Sequence, residues 1–260
     1  MAGPDELRPD FFDERSRILQ ALERPEYRHV VARLIGALAF RTHCPQFGHL
    51  QQALGRVFTD IDFASYRRFF PDLQRLFRTL GYEEDMMVSR LFGEGRMLFH
   101  DPTYGRHVDV FFNRLHFSHT IPLDGRLEAD SPTLPLAELL LEKMQIARIN
   151  EKDLIDTIML LREHRLGPGD DETVNLGVVT GLTSRDWGLW RTVTGNLTIV
   201  GEHLLSYPQL NADDRRIVAE RLQELRQAID DAPKTPGWRL RAAVGERLKW
   251  YEDVEELAGR

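Results

Sequence analysis

With one cysteine in 260 residues, Cys44, the chain has no internal disulfide and no cysteine-rich zinc site. Cys44 stands beside Pro45 with no base in view and reads as an ordinary small residue. No apolar run nears the roughly 18–20 residues that cross a bilayer. The opening residues, Met1 to Glu6, are acidic and lack the apolar core of a secretory signal. A cytoplasmic protein with no membrane segment is the expectation. Positive charge is also short, with 34 Lys and Arg against 41 Asp and Glu and a net charge of −7. Residues 1–165 carry 22 basic and 25 acidic side chains, and the remainder 12 and 16, so neither half is a basic module. Nucleic-acid binding by bulk electrostatics is therefore unsupported, while a local basic site is independent of net charge. Neither a Gly-x-Ser-x-Gly elbow nor a Walker A loop occurs. His43, His49, His107, His116 and His119 show no metal-binding spacing of the His-Glu-x-x-His kind.

What remains is an ordinary globular composition, 42% hydrophobic and 29% charged, long enough for one large domain or two modest ones. Helical spacing covers Asp10 to about Leu22. Tyr27 to Ile35 reads as a strand, followed by Gly36-Ala37-Leu38, where a strand turns into a helix. A glycine there admits close backbone approach to a ligand, and the helix start can face an anion. The same residues also suit a buried helix with a small-residue packing patch. Cys44 to Gly55 reads as a loop, and Tyr66 to Leu80 as a helix stopped by Gly81. Strands are expected at Met97–Phe99 and His107–Phe112, with a short one at Leu127–Ala129. Pro135–Ile149 and Glu151–His164 form two helices, the second capped by Asn150. Leu166 to Asp171 is a linker. Asp186–Leu205, Asp213–Ile229 and Trp238–Leu257 are helical.

The stretch Arg56 to Phe63 reads as a strand that places Asp60 and Asp62 on one face, with Ile61 and Phe63 on the other. Two carboxylates so placed need a cation, a shared proton or full solvation. On His107–Phe112 the same alternation sets His107, Asp109 and Phe111 on one face, adding a third carboxylate. In Pro135–Ile149 the apolar positions Leu136, Leu139, Leu140, Met144 and Ala147 define a buried stripe, and Lys143 falls inside it. Such a lysine snorkels to the edge or meets an anion. Lys152 and Asp156 stand four apart, which suits a surface salt bridge. Arg148 and Arg162 are expected to be solvated. Trp187 and Trp190 could stack a base or belong to the core.

In order, Gly36-Ala37, Asp60-Ile61-Asp62 and Asp109 resemble the nucleotidyltransferase superfamily of the DNA polymerase β type. Lys143, followed by Lys152-Asp153-Leu154-Ile155-Asp156, resembles the AbiEii and MenT-type branch of that superfamily. The resemblance covers about residues 28–165. It departs at Ala37, where a second Gly or Ser is usual, and in the long spacing from Gly36 to Asp60. It implies an α/β (α+β) fold, a small mixed sheet flanked by helices and followed by a C-terminal helical bundle. The division implied is a core over residues 1–130 and a helical region over 131–260, with 135–165 completing the site and 170–260 forming the bundle. It implies Mg²⁺ or Mn²⁺ held by Asp60, Asp62 and Asp109, an NTP contacted by Gly36, Ala37, Arg56, Lys152 and Asp156, and Lys143 neutralising developing charge. The implied activity moves NMP to an acceptor hydroxyl on tRNA, a protein or a small molecule, in a toxin-like setting that includes an antitoxin partner. The alternative is a catalytically silent nucleotide-sensing or protein-interaction module of the same fold.

Overall fold

The computed structural model describes residues 10–53, 56 and 58–254. In chain order the elements are α1 (Phe11–Leu22), β1 (Ala32–Ile35), α2 (Gly36–His43), α3 (His49–Ala53), β2 (Asp60–Ser65), α4 (Phe70–Thr79), β3 (Glu83–Glu84), α5 (Met86–Phe92), β4 (Arg96–His100), β5 (His107–Phe112), β6 (Arg114–His116) and β7 (Thr120–Pro122). There follow α6 (Leu136–Met144), α7 (Glu151–Glu163), β8 (Arg165–Gly167), β9 (Thr173–Asn175), α8 (Leu176–Thr183), α9 (Trp187–His203), α10 (Ala212–Asp231) and α11 (Pro236–Val244). The fold is mixed α/β, with a five-stranded mixed sheet early and a helical C-terminal region, as expected. The described residues form two compact units. One is drawn from Met1–Ala39, Val57–Arg114 and Pro122–Leu134, the other from Phe40–Arg56, Leu115–Ile121 and Pro135–Arg260. No helix among the described residues is long and apolar enough to cross a membrane.

The first unit is built on the sheet, in the order β1-β2-β5-β4-β3. β2 runs antiparallel to β1 and parallel to β5, and β5 antiparallel to β4. Alternation sends Ile61 and Phe63 of β2, and Val108, Val110 and Phe112 of β5, into the core. The apolar face of α4 covers them: Leu73, Leu76 and Phe77 are buried, and the Phe77 ring lies 4.7 Å from Phe99 and 6.3 Å from Phe63. α1 is tied down by charge as well as by Ile18 and Leu22. Its Glu14 is buried, accepts a 2.6 Å bond from the Tyr82 hydroxyl and faces Arg106 at 3.4 Å.

The second unit is mostly helical. All nine residues of α6 are buried, so this helix is enclosed all round rather than on a single stripe. α7 begins at Asn150, whose side chain accepts from the Asp153 N–H at 3.1 Å. At its other end Arg221 of α10 donates to the Leu161 and Arg162 carbonyls at 2.7 and 2.8 Å, satisfying groups that a helix end leaves open. Trp187 is buried, with rings of Trp190 and Trp250 at 6.3 and 6.1 Å, and Trp190 lies 5.2 Å from Trp238. These faces are spent on one another, which is the core reading.

Several expected boundaries move. The strand expected from Arg56 begins at Asp60; Phe58 turns instead to α1, packing on Phe12 at 5.4 Å and Phe11 at 6.3 Å, and Val57 lies outside the described residues. β1 covers only the last four residues of Tyr27–Ile35. The expected loop at residues 44–55 contains the short helix α3, and Leu127–Ala129 is turn rather than strand. The expected linker is pinned, because β8 and β9 pair in parallel across it. α8 was not foreseen, and the last helix ends at Val244 rather than running on toward Leu257, which is outside the described residues.

Candidate functional site

The parallel register of β2 and β5 aligns Asp60 with His107 and Asp62 with Asp109. Paired positions on neighbouring strands, about 4.8 Å apart, project to one face, so the acidic positions read from alternation meet on one side of the sheet. Asp60 is exposed, Asp62 half-buried and Asp109 buried. Thr59 donates its hydroxyl to Asp60 at 2.9 Å, and His107 Nδ1 stands 3.9 Å from the same carboxylate. His107 also packs edge-on against His100, ring centres 4.7 Å apart. It therefore borders the acidic face.

On the other side of Asp62 lies β1, where Ile35 is its partner. The next residue, Gly36, opens α2 with φ +66, and a Cβ there would stand 2.5 Å from Asp62 Oδ2. A side chain is thus disfavoured both by backbone conformation and by the carboxylate. The strand–glycine–helix element expected at Gly36-Ala37 is present, and it presses against the second acid of Asp-x-Asp.

Asp109 has a partner that sequence reading missed. Arg96 at the start of β4 donates Nε to both carboxylate oxygens at 2.9 Å, and its Nη2 contacts Oδ2. Burial pushes the Asp109 carboxyl above the ordinary carboxylate range; Arg96 opposes that, and the Asp60 charge adds to it. Arg96 in turn is held charged: burial disfavours its cation, but Asp109, Asp62 and Asp60 outweigh it. The signal that could have found it is alternation along β4. Met97 and Phe99 are buried, so Arg96, Leu98 and His100 take the face that β5 gives to Asp109.

Lys143, Arg56 and Asp156 belong to the second unit and form a buried charge network there. Lys143 Nζ lies 2.9 Å from Glu142, 3.7 Å from Asp153 and 3.7 Å from Asp156. Burial disfavours its ammonium, yet the three carboxylates prevail and raise its pKa. Asp156 is fully buried, receives a 2.8 Å bond from Gln51 and faces Arg56 at 3.6 Å. Lys152 is exposed and, among the described residues, forms no ion pair with Asp156, so the expected i, i+4 bridge is replaced by inward pairing. Arg162, expected in solvent, bonds Asp214 at 2.6 Å and covers Phe47, whereas Arg148 is indeed exposed. Cys44 is buried, and burial pushes its thiol up, away from nucleophilic use.

Hard carboxylate oxygens suit Mg²⁺, which keeps several waters and needs only one or two carboxylates plus substrate phosphates. Asp60 and Asp62 meet that need, while Asp109 is shared with Arg96. Among the described residues, the three donors whose ligand atoms all fall within 4.8 Å of one another are His43, His164 and Glu172, not the three aspartates. A polar cleft of about 450 Å³ opens instead by Tyr66–Arg68 and Asp124–Gly125, beyond the end of β2 opposite to Asp60.

The fold and face define a class, a mixed α/β protein with acids on parallel strands beside a glycine-led helix. No family model matches the sequence, and no curated protein matches it. Among solved structures, the solution structure of the antibiotic-resistance factor ANT(2'')-Ia, described as revealing substrate-regulated conformation dynamics, is similar over 89% of this chain and 92% of that one. The identity is 15% and the TM-score 0.31. A likeness at that TM-score carries no weight for fold or activity.

Proposed function

We propose that the protein is a metal-dependent nucleotidyltransferase, moving NMP from an NTP to an acceptor hydroxyl. The observation that carries this reading is the pairing of Asp62 with Asp109 in parallel register while Gly36 presses on Asp62. Asp60 and Asp62 are the residues that would hold Mg²⁺ or Mn²⁺. The ion, when bound, neutralises phosphate charge and stabilises the entering and leaving oxygens. Gly36 lets the phosphates approach the backbone at the start of α2, where N–H groups favour an anion. The acceptor oxygen forms a bond to the α-phosphorus, the bond to the β-phosphate oxygen breaks, and pyrophosphate leaves. The acceptor's proton passes to Asp109. Its raised pKa brings that carboxylate closer to the operating pH, where a general base works best. Arg96 fixes its orientation. Lys143 is balanced by carboxylates of its own unit, which suits a structural charge rather than a free phosphate clamp. Acceptors consistent with the family resemblance are tRNA ends, proteins and small hydroxylic molecules, and a toxin role with an antitoxin partner belongs to the same reading.

A second reading has its own support. Arg96 occupies both oxygens of Asp109, and Ala37 lacks the hydroxyl of the usual second residue, which together favour a silent nucleotide-sensing or protein-interaction module. Titration calorimetry with NTP and Mg²⁺ should show binding that Asp62→Asn abolishes. Label from α-³²P NTP should appear on an acceptor in cell extract and vanish with the same variant. Absence of nucleotide binding by folded protein would sink the transferase and the nucleotide-sensing reading and leave only a protein-interaction module; binding without transfer would leave the silent nucleotide-sensing module.

A further inference from the structure

The second unit carries a cluster that the proposed transferase chemistry does not use: His43 at the end of α2, His164 at the end of α7 and Glu172 before β9. One ligand atom from each lies within 4.8 Å of the other two. We propose that these three residues form a site for a late first-row divalent cation, with Zn²⁺ as the natural occupant.

Topology builds the site. β8 and β9 pair in parallel, with Arg165 opposite Thr173. Extending that register one residue toward the N-terminus sets His164 beside Glu172. His164 is buried, and its Nε2 lies 3.0 Å from the His43 carbonyl oxygen. A carbonyl only accepts, so Nε2 carries the proton and donates it. That leaves Nδ1 as the ring nitrogen that can ligate, and what faces it is the Glu172 carboxylate at 3.4 Å. A ring nitrogen opposite a carboxylate is bridged by a proton or by a metal ion, and donation of the remote ring N–H to a backbone carbonyl is the usual support of a metal-ligating histidine.

The spacing agrees. Donors bound at about 2.0–2.1 Å to a tetrahedral ion lie roughly 3.3–3.4 Å apart, which is the Nδ1 to Glu172 separation. The His43 ring meets the His164 ring edge-on, centres 5.7 Å apart, and brings the third donor. Glu172 holds φ 45, a conformation that is costly for a non-glycine residue and persists where surroundings demand it. Two imidazoles and one carboxylate select zinc-like ions over Mg²⁺. The Glu172 side chain is largely exposed, leaving the fourth position to water. Because its donors come from α2, α7 and the β8–β9 connection, the ion fastens three segments distant in sequence.

The test is Zn²⁺ titration of EDTA-stripped full-length protein against a competing chelator, in excess Mg²⁺ to fill the hard carboxylate sites. One Zn²⁺ per chain is expected, with the visible absorption of a four-coordinate ion when Co²⁺ replaces it. Glu172→Gln, at an exposed position, should retain the wild-type circular dichroism and lose about 100-fold or more in affinity, since even partners outside the ligand shell are worth about 10–100-fold. His43→Gln should do the same, while Asp62→Asn should bind Zn²⁺ as wild type does, separating this site from the nucleotide one. Zn²⁺ should raise the unfolding temperature of wild type and not of Glu172→Gln. No Zn²⁺ uptake, or equal affinity in Glu172→Gln, would overturn the proposal and leave His164–Glu172 as a proton-bridged ion pair.

Discussion

Gly36 is where backbone geometry and the acidic face meet most directly. Its φ of +66 lies in the region that side chains avoid, and the direction of its missing Cβ runs into Asp62 Oδ2. Gly36→Ala should therefore lower stability by about 1–2 kcal/mol through the backbone term. Its larger effect should be on chemistry, because the atom that must yield belongs to the carboxylate of the acidic face itself rather than to packed backbone. The expected result is a folded protein, checked by urea unfolding, whose Mg²⁺–NTP affinity falls much further than its stability does. In an Asp62→Ala background the same substitution should retain only the backbone cost, and a double-mutant cycle measures the difference. The three aspartates and this glycine were legible because alternation and turn chemistry are local. Arg96 was not, because its meaning depends on which strand pairs with β5 and in what register. Arg56 was misplaced for a related reason: as the first residue of an apolar run it read as part of the strand, whereas its partner Asp156 lies a hundred residues on.

Among elements, β5 was readable to the residue, since Val108, Val110 and Phe112 go to the core at every second position. β2 was readable only from Asp60, because Phe58 obeys the α1 aromatic face rather than the sheet period. β8 and β9 were illegible: three residues each, among glycine and proline, they exist through parallel pairing that no local pattern announces. The pair α6–α7 shows what a periodicity reading does reach. Lys143 was recognised as a charge on a buried face, and its cost is met by Glu142, Asp153 and Asp156. Lys143→Met should cost about 3 kcal/mol at neutral pH, the lower end for breaking a buried ion pair, because Arg56 still faces Asp156. Since the folded pKa of Lys143 is raised, its contribution is fully present below the unfolded value of about 10.4 and is lost as pH rises through the folded one. The gap between wild type and variant should thus be constant from pH 7 to about pH 10 and narrow only beyond. All four tryptophans lie in the same unit as Lys143, so fluorescence-detected urea unfolding reads it directly.

For the molecule as a whole, charge bears on the one question the acidic face leaves open, the acceptor. A net charge of −7 gives the protein no long-range pull on a polyanion. Any polynucleotide acceptor must then be held by a few local contacts, and each phosphate neutralised contributes about 0.7–0.9 to the slope of log affinity against log salt. With about two or three such contacts, affinity for single-stranded RNA should fall by about 7- to 20-fold between about 50 and 200 mM salt. A protein that tracks a backbone through six to ten phosphates loses about 10³–10⁵ over the same interval. Fluorescence anisotropy with a labelled tRNA 3′-end fragment across that salt range distinguishes the two regimes. A shallow slope is the expected outcome and fits an acceptor gripped at its terminus, by shape and hydroxyl chemistry. A steep one would reveal a basic track that neither the composition nor the disposition of Lys and Arg across the two units foretells, and would move the acceptor from a small hydroxylic group to an extended nucleic acid.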